Sequence, residues 1–193
     1  MKLAIVDLGC GNIGSVRLAF GRFGLSPIVT ADPEQLARAD KIILPGVGAA
    51  GYAMDRIRSL GLLEPLRSLE QPALGICLGM QLLFERSEEE DVHCLSIIPG
   101  SVRALRPGPE RPVPHMGWSR VEVGDHNLGL QSGDYLYFAH SYACDDGPAT
   151  LARADYGRPI PAVVRAKNWI AAQFHPERSG VAGARFLQHF LQY

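Results

Sequence analysis

The chain has 193 residues, of which 47% are hydrophobic and 20% are charged, so it is long enough for one well-formed core and nothing in its length requires a second domain. Lysine and arginine number 19 against 20 aspartates and glutamates, and this balance argues against nucleic acid or an anionic membrane as a partner. The sequence has no apolar run near the ~20 residues of a membrane span and reaches an acid too early for a signal peptide, so we expect one cytoplasmic domain over residues 1–193 with small-molecule or protein partners.

The four cysteines are widely scattered along the sequence (Cys10, Cys77, Cys94 and Cys144). They have neither the paired spacing of a zinc site nor the density of a secreted disulfide framework. We therefore expect free thiols and no metal, and the sequence predicts no cofactor. Cys10, Cys94 and Cys144 are predicted to be small core or loop residues.

The N-terminal stretch predicts a strand over residues 3–7, a glycine-rich turn and a helix over residues 15–23. The turn has the spacing G-x-G-x-x-G at Gly9, Gly11 and Gly14, and Asp32 follows 18 residues later, after the next apolar run. This is the pattern of a dinucleotide-binding site, so a nicotinamide- or flavin-dependent oxidoreductase is one hypothesis. The same glycines suit any tight turn after a first parallel strand, and the hypothesis leaves Cys77 unexplained.

Strands and helices alternate through the rest of the first half. Further strands are predicted over residues 27–30, 41–44 and 72–76, and further helices over residues 33–38, 53–60 and 63–69. Such alternation indicates a parallel sheet with helices on both faces.

The second half is rich in short β-type runs separated by turn residues. Strands are predicted over residues 118–123, 135–140, 162–165 and 169–174, and a last helix over residues 181–191, capped by Ser179. Turns between the strands predict β-hairpins that extend the sheet. The expected fold class is therefore α/β, with a mixed, mostly parallel central sheet flanked by helices and a β-hairpin extension in the second half.

The stretch from Gly75 to Gly79 has the pattern Gly-x-Cys-x-Gly after an apolar strand and before a helix predicted over residues 78–85. This is a nucleophile elbow with sulfur in place of oxygen, in which the glycines relieve crowding and Cys77 projects into a cleft. The helix N-terminus favours the thiolate, and the N–H of Leu78 is placed to donate to an oxyanion. A buried structural cysteine is the alternative interpretation.

A second glycine-rich loop, Pro45-Gly46-Val47-Gly48, follows the predicted third strand. The nucleophile-elbow pattern takes its second oxyanion donor from a loop at this position, so Gly46, Val47 and Gly48 are candidates for that donor. An ordinary strand-to-helix turn would need the same glycines.

His175 and Glu177 end the last predicted strand, and residues two apart in extended backbone share a face. A carboxylate beside an imidazole fixes its tautomer and leaves the other nitrogen for a nucleophile. Cys77, His175 and Glu177 are thus predicted to be nucleophile, general acid–base and orienting carboxylate, although a surface pair at a strand end is the alternative. His140 is predicted to contact substrate or to be structural, and surface positions are expected for most of the other histidines (His93, His115, His126 and His189).

The stretches Gly75 to Gln81 and His175 to Glu177 closely resemble the catalytic signature of the class I, triad-type glutamine amidotransferases. Within that family, residues 7–16, 45–48, 114–118 and 138–142 are similar to the glutaminase subunits of imidazole glycerol phosphate synthases. The resemblance covers nearly the whole chain, and Met116-Gly117-Trp118 is its most discriminating part.

The resemblance implies the three-layer fold of that family and hydrolysis of glutamine through a thioester on Cys77. It implies a heterodimer with a (β/α)8-barrel cyclase subunit, which receives the ammonia and makes imidazole glycerol phosphate and aminoimidazole carboxamide ribotide. It assigns Gln81, His140, Ser141 and Tyr142 to the glutamine pocket, and Asn12, Met116, Trp118 and Arg178 to the interface with the cyclase.

The sequence departs from the usual residues of these subunits at four positions outside the triad: Leu8, Gly14, Ser119 and Arg178. Two of them, Ser119 and Arg178, bear on the predicted docking surface. The glutaminase of a different amidotransferase, a cysteine hydrolase of similar fold, and a purely regulatory protein are the other hypotheses left open.

Overall fold

A computed structural model describes residues 1–9, 11–124 and 128–193 of the protein. Its helices are α1 (Ile13–Gly21), α2 (Pro33–Ala37), α3 (Ala50–Ser59), α4 (Leu63–Arg67), α5 (Leu78–Gln81) and α6 (Gly180–Gln192), and two 3-10 turns cover Glu89–Asp91 and Pro176–Arg178. Its strands are β1 (Leu3–Val6), β2 (Ile28–Thr30), β3 (Lys41–Leu44), β4 (Ala73–Ile76), β5 (Arg86–Ser87), β6 (Val92–His93), β7 (Ser101–Ala104), β8 (His115–Val123), β9 (Tyr135–His140), β10 (Tyr142–Cys144), β11 (Thr150–Asp155), β12 (Pro159–Ala166) and β13 (Trp169–Ala172).

The main sheet has nine strands in the order β2-β1-β3-β4-β13-β12-β11-β8-β9. Every neighbouring pair from β2 to β13 is parallel, and every pair from β13 to β9 is antiparallel. The predicted mixed sheet with a hairpin extension is therefore confirmed. The parallel half contains the four strands of the first half of the chain, which alternate with helices, and β13 from the end of the chain.

Helices cover both faces of the sheet, and the side chains of β1 show how one strand serves two cores. Leu3 and Ile5 belong to a core with Phe20 of α1 and with α6. Ala4 and Val6, which point the other way because strand side chains alternate, belong to a second core with α2, α3 and α4. The protein thus has the three layers expected of an α/β fold. No helix in the described ranges is long and apolar enough to cross a membrane.

A second, smaller sheet has the order β10-β7-β5-β6 and was not predicted from the sequence. Its strands have two to four residues, which is too short to show an alternating pattern. This sheet joins the segment after the elbow to β10, the strand that follows His140.

The helix after the elbow was predicted to reach Glu85, and this boundary was wrong because α5 ends at Gln81. The next carbonyl groups accept hydrogen bonds from another segment: Leu95 N–H donates to Leu82 at 2.8 Å, and Ile97 N–H donates to Leu83 at 2.8 Å. A tertiary contact therefore replaces the i to i−4 bonds that would have continued the helix.

Ser179 was predicted to cap α6 with its side chain, and the structure corrects this expectation too. Ser179 occupies the N-cap position but makes no side-chain capping bond. Its hydroxyl donates to the carbonyl of His175 at 2.7 Å and accepts from Tyr137 N–H at 2.9 Å. The side chain thus fixes the turn after β13 against β9.

Three glycines allow the loop after β3 to pack against the elbow after β4. A Cβ atom at Gly46 would lie 2.7 Å from Leu78 Cβ, and one at Gly75 would lie 2.8 Å from the Gly79 carbonyl oxygen. A Cβ atom at Gly79 would overlap the carbonyl oxygen of Leu44. The backbones therefore approach more closely than any larger residue permits.

Replacing Gly79 with alanine is expected to lower the free energy of unfolding by about 2 kcal/mol, because the added methyl group forces β3 and α5 apart. Urea unfolding followed by circular dichroism measures the change. Gly21→Ala is the matched control: this exposed helical position has no atom near its Cβ site, so the free energy should stay equal or rise by about 0.5 kcal/mol. Equal stability of the two variants would contradict the packing argument.

Candidate active site

Cys77 stands at the apex of the turn between β4 and α5, with φ 53° and ψ −108°. This left-handed backbone is unfavourable for a residue with a side chain, and such strain concentrates at functional sites. Its N–H donates to the carbonyl of Ala172 at 2.7 Å, which ties the apex to β13. The predicted elbow is therefore the local structure, and Cys77 lines a cleft beside it.

His175 and Glu177 lie just beyond β13, the strand that pairs in parallel with β4. Ala172 is level with Ile76 in this pairing, so His175 emerges at the same sheet edge as Cys77. His175 Nδ1 lies 2.9 Å from Glu177 Oε1, and both side chains are buried. The fixed Nδ1 contact leaves Nε2 as the ring nitrogen available to the thiol.

Three influences set the charge of His175. Burial, the largest, lowers the pKa of His175, but the hydrogen bonds to Cys77 and Glu177 and the charges of these two groups outweigh it and raise the pKa to about 10. The other oxygen of Glu177, Oε2, is buried and has no hydrogen-bond partner in the described residues. A buried carboxylate so poorly solvated depends on the imidazolium for neutralisation, and the same imidazolium interacts with the side chain of Cys77.

The loop Pro45 to Gly48 lies against the elbow, as the contacts of Gly46 with Leu78 show. Val47 and Gly48 line the cleft together with Cys77 and Leu78. Gly48 has φ 102°, a conformation that glycine adopts without strain. The structure thus brings Val47, Gly48 and Leu78 to the same cleft as Cys77 and packs Gly46 against Leu78.

The cleft has a volume of about 200 Å³, which suits a small amino acid. All four residues assigned to the pocket by resemblance line it: Gln81, His140, Ser141 and Tyr142. The amide nitrogen of Gln81 donates to the Tyr142 carbonyl at 2.8 Å and to Gln173 Oε1 at 3.0 Å. Only the carbonyl oxygen of the Gln81 side chain therefore remains for contact with a ligand.

Surface positions were predicted for most of the histidines outside the cleft, and His115 is an exception. It is 3% exposed and its ring stacks between Phe138, at 4.9 Å between centroids, and Tyr156, at 3.9 Å. The sequence gave no sign of this burial, because the ring partners come from β9 and from the turn after β11.

The hydrogen bonds of His115 and His140 define one proton arrangement. His140 Nδ1 lies 2.7 Å from the Tyr142 carbonyl, so it must donate, and His140 Nε2 then accepts from His115 Nδ1 at 3.1 Å. His115 Nε2 in turn accepts from the Ser119 hydroxyl at 2.8 Å. Burial lowers the pKa of both histidines to about 4, so this part of the cleft wall is uncharged near neutral pH.

Glu89 also lines the cleft and was not predicted. Its Oε2 accepts from Ala50 N–H at 2.8 Å, and burial raises the pKa of this carboxyl. The run of acids over residues 88–91 is typical of a solvated surface, and only the 3-10 turn directs Glu89 inward. Pro114 and Ala139 complete the part of the wall that the sequence did not reveal.

The residues assigned to a partner interface lie on the surface near the cleft. Met116 and Trp118 are 66% and 54% exposed, and Asn12 and Arg178 are exposed as well. The Arg178 guanidinium lies 4.6 Å from the ring centroid of Tyr137, and Trp118 meets the same ring edge-on at 6.0 Å. Tyr137, which the sequence did not single out, thus joins Trp118 and Arg178 into one cluster.

Cys94, Cys144 and the acid of the dinucleotide pattern, Asp32, have structural roles. Cys94 and Cys144 are buried free thiols, and burial raises the pKa of Cys94 to about 11 and that of Cys144 well above its ordinary value. Asp32, the acid of the dinucleotide pattern, caps α2 by accepting from Glu34 N–H at 2.9 Å. Cys10 and His126 lie outside the described residues, and within those residues no cluster of metal-ligating side chains occurs.

The class-I glutamine amidotransferase family model matches residues 4–192. The chain therefore belongs to the class-I glutamine amidotransferase family, as the elbow and the histidine–glutamate pair had indicated.

Its curated relatives include one particular kind of subunit, named imidazole glycerol phosphate synthase subunit HisH. The chain is 47% identical over 193 residues to that of Idiomarina loihiensis, covering 100% of this chain and 98% of the relative. It is 45% identical over 200 residues to that of Vibrio cholerae serotype O1, covering 99% and 98%, and 46% identical over 196 residues to that of Salmonella typhimurium, covering 100% of both.

Solved structures of the same fold are more distant in sequence. A crystal structure described as a glutamine amidotransferase has a TM-score of 0.78 at 20% identity, covering 100% of this chain and 98% of the other. PurLQS from Thermotoga maritima has a TM-score of 0.71 at 21% identity, with the same coverage. At this identity the comparison establishes the fold alone.

The histidines of the cleft are expected to titrate in two widely separated ranges. His175 should stay protonated until the pH approaches 10, whereas His115 and His140 should already be neutral at pH 6. Imidazole NMR of the labelled protein measures all three in one titration.

In the Glu177→Gln variant a neutral amide replaces the carboxylate beside His175 Nδ1. The pKa of His175 should therefore fall, while the pKa values of His115 and His140 stay the same. Because the pKa of His175 is raised on folding, His175 stabilises the fold fully below its unfolded pKa of 6.5. This contribution is lost as the pH rises from 6.5 towards 10. The stability advantage of the wild type over the variant should therefore shrink across that range. A His175 titration near 6.5 in the wild type would contradict the charge assignment.

Proposed function

We propose that this chain is the glutaminase subunit of an imidazole glycerol phosphate synthase, hydrolysing glutamine and delivering ammonia to a cyclase subunit in histidine biosynthesis. The proposal is carried by the meeting of Cys77, on its strained elbow, with the buried His175–Glu177 pair. Full-length similarity to HisH subunits supports this synthase over other glutamine-dependent enzymes. The free, buried thiols suit a reducing compartment, so we place the subunit in the cytoplasm.

The reaction begins with the Cys77 thiolate, which attacks the side-chain amide carbon of glutamine. The N–H of Leu78 and a peptide N–H of the loop Gly46 to Gly48 stabilise the oxyanion that forms. The carbon–nitrogen bond then breaks, and the His175 imidazolium donates its proton to the departing nitrogen, which leaves as ammonia. The product at this stage is a thioester between Cys77 and the glutamyl group.

Hydrolysis of the thioester restores the enzyme. His175, now neutral, removes a proton from water, and the resulting hydroxide attacks the thioester carbon. The carbon–sulfur bond breaks, glutamate leaves, and the Cys77 thiolate and the His175 imidazolium are regenerated. Glu177 accepts the hydrogen bond from His175 Nδ1 and stabilises the imidazolium, as the carboxylate of a catalytic triad does.

The cleft is suited to a zwitterionic amino acid. Glu89 supplies a carboxylate for the α-ammonium group, and the Gln81 carbonyl oxygen supplies a further acceptor. Ser141, Tyr142 and the neutral His140 complete the wall. Among the described residues that line the cleft none is positively charged, so the nearby imidazolium of His175 is the proton donor for the leaving group.

Ammonia released into water at neutral pH would become mostly ammonium, which is not a nucleophile. A partner that covers the cleft and conducts the ammonia to its own active site avoids this loss. The cluster of Trp118, Tyr137 and Arg178, with Met116 and Asn12 nearby, is the surface that we assign to the (β/α)8-barrel cyclase. Exposed aromatic and arginine side chains of this kind commonly dominate binding energy at interfaces.

The first test is glutamate release from glutamine by the purified chain, alone and with a cyclase subunit plus its nucleotide substrate. We expect strong stimulation by the complete system and a loss of at least about 10³-fold in kcat for Cys77→Ala, since the variant lacks the nucleophile. Cys94→Ala, which removes a buried thiol away from the cleft, should retain normal activity.

The Glu89→Gln variant distinguishes binding from chemistry in the same assay. It should raise KM for glutamine by about tenfold while changing kcat much less, because a neutral amide attracts the ammonium group more weakly. Glu88→Gln, at a neighbouring residue outside the cleft, is the control. Glutamate release that only a different synthase subunit stimulates would overturn the choice of synthase, and unaltered turnover in Cys77→Ala would overturn the chemistry.

Trp118→Ala is expected to weaken binding of the cyclase subunit by about 2 kcal/mol, or roughly thirtyfold in Kd. Isothermal titration calorimetry of the two subunits measures the change. Tyr193→Ala removes an exposed aromatic ring at the far end of α6 and should leave Kd within a factor of about two. Equal effects of the two substitutions would show that the partner docks elsewhere.

A further inference from the structure

A second cavity lies beside the catalytic cleft and has no role in the reaction described above. It has a volume of about 630 Å³, within the range of small-molecule sites. The two cavities have no lining residue in common. Its wall includes four arginines (Arg103, Arg106, Arg111 and Arg158) and one acid, Glu88.

Three of these arginines have charges that no acid of the described residues neutralises. Arg103 is paired, since it contacts Asp145 at 2.8 Å and Glu88 at 3.2 Å. In the described part of the chain, Arg106, Arg111 and Arg158 form no ion pair with a carboxylate. The cavity is therefore strongly positive even though the whole chain has a formal net charge of −1.

Arg158 provides an independent sign of a missing acceptor. Its Nη2 is buried and has no hydrogen-bond partner in the described residues. A buried donor without a partner is costly, and the cost is greater when the group is charged. An anion in the cavity would supply the countercharge that the Arg158 guanidinium lacks, and it would offset part of this cost.

Arg111 is held in place before any ligand arrives. Its backbone closes a turn with Gly108 through two hydrogen bonds of 3.0 and 3.1 Å. Its guanidinium lies over two glycines: a Cβ atom at Gly108 would be 3.0 Å from Nη2, and one at Gly157 would overlap Nη1. A guanidinium fixed in this way loses little conformational entropy when it binds an anion.

We propose that this cavity binds the phosphate group of a small molecule. A single carboxylate would engage one guanidinium fork, whereas a dianionic phosphate presents enough oxygens for several. The cavity is much larger than a phosphate ion, and Leu105, Pro107 and Tyr156 provide surface for an organic part. Its concave shape suits a small ligand better than a polymer such as RNA.

The proposal is independent of the glutaminase assignment, because it uses none of the residues of the catalytic cleft. Its test is therefore binding rather than turnover. Isothermal titration calorimetry of the full-length chain would compare inorganic phosphate, glucose 6-phosphate, sulfate and glucose at constant ionic strength. We expect both phosphate probes to bind and glucose not to bind. Tighter binding of glucose 6-phosphate would identify a phosphate ester as the ligand, and equal binding would identify the phosphate ion itself.

Three variants locate the site. Arg106→Gln, Arg111→Gln and Arg158→Gln should each weaken phosphate binding by about tenfold, and circular dichroism verifies their folding. Arg106 is exposed, so its substitution tests the site even if the other two variants prove unstable. Arg38→Gln, at an exposed arginine paired with Glu34 on α2, should have no effect.

Two results would overturn the proposal. One is the absence of binding by either phosphate probe at millimolar concentration. The other is phosphate binding that the three cavity variants leave unchanged, since such binding would be located elsewhere.

Discussion

The parallel pairing of β4 with β13 is the constraint on which the active site depends. The two strands come from opposite halves of the chain, yet their pairing places Ile76 level with Ala172 and lets Cys77 N–H donate to the Ala172 carbonyl at 2.7 Å. Neighbouring strands lie about 4.8 Å apart, so a nucleophile that follows one strand and a base that follows the other meet without any flexible connection. The loop after β3 joins them at the same edge, where parallel strands of an open sheet commonly form a binding site.

The electrostatics of the cleft follow from this arrangement and from burial. Glu177 is buried with one oxygen unpartnered in the described residues, and His175 is the cation that neutralises it. The other two histidines close to the cleft, His115 and His140, form a hydrogen-bonded pair that burial keeps neutral. Positive charge is thus concentrated on the one ring that has to exchange protons. The family to which the chain belongs releases ammonia from glutamine, and such chemistry requires a proton donor placed at the leaving nitrogen.

Local patterns predicted the parts of this protein whose structure is determined locally. The apolar runs predicted eight of the nine strands of the main sheet, and the glycines on either side of Cys77 predicted the elbow. The ninth strand, β11, was missed, because its sequence Thr-Leu-Ala-Arg-Ala-Asp has no continuous apolar run. The errors arose where distant segments decide the outcome. Leu95 and Ile97 take the carbonyl groups that would have continued α5, and Ser179 turns its hydroxyl to His175 and Tyr137 rather than to its own helix. His115 and Glu89 were missed for the same reason, since their burial depends on aromatic rings and a turn that no spacing rule connects to them.

The burial of Cys94 and Cys144 also determines how the protein meets electrophiles. Both thiols stay protonated near neutral pH, because burial raises their pKa values, and neither is accessible. Cys77 differs from them in having a cleft in front of it and an imidazolium beside it. Among the thiols of the described residues, an alkylating agent small enough for the cleft therefore finds one reactive target. A mild alkylating reagent should therefore label and inactivate Cys77 selectively, while the cores on either side of the sheet remain intact.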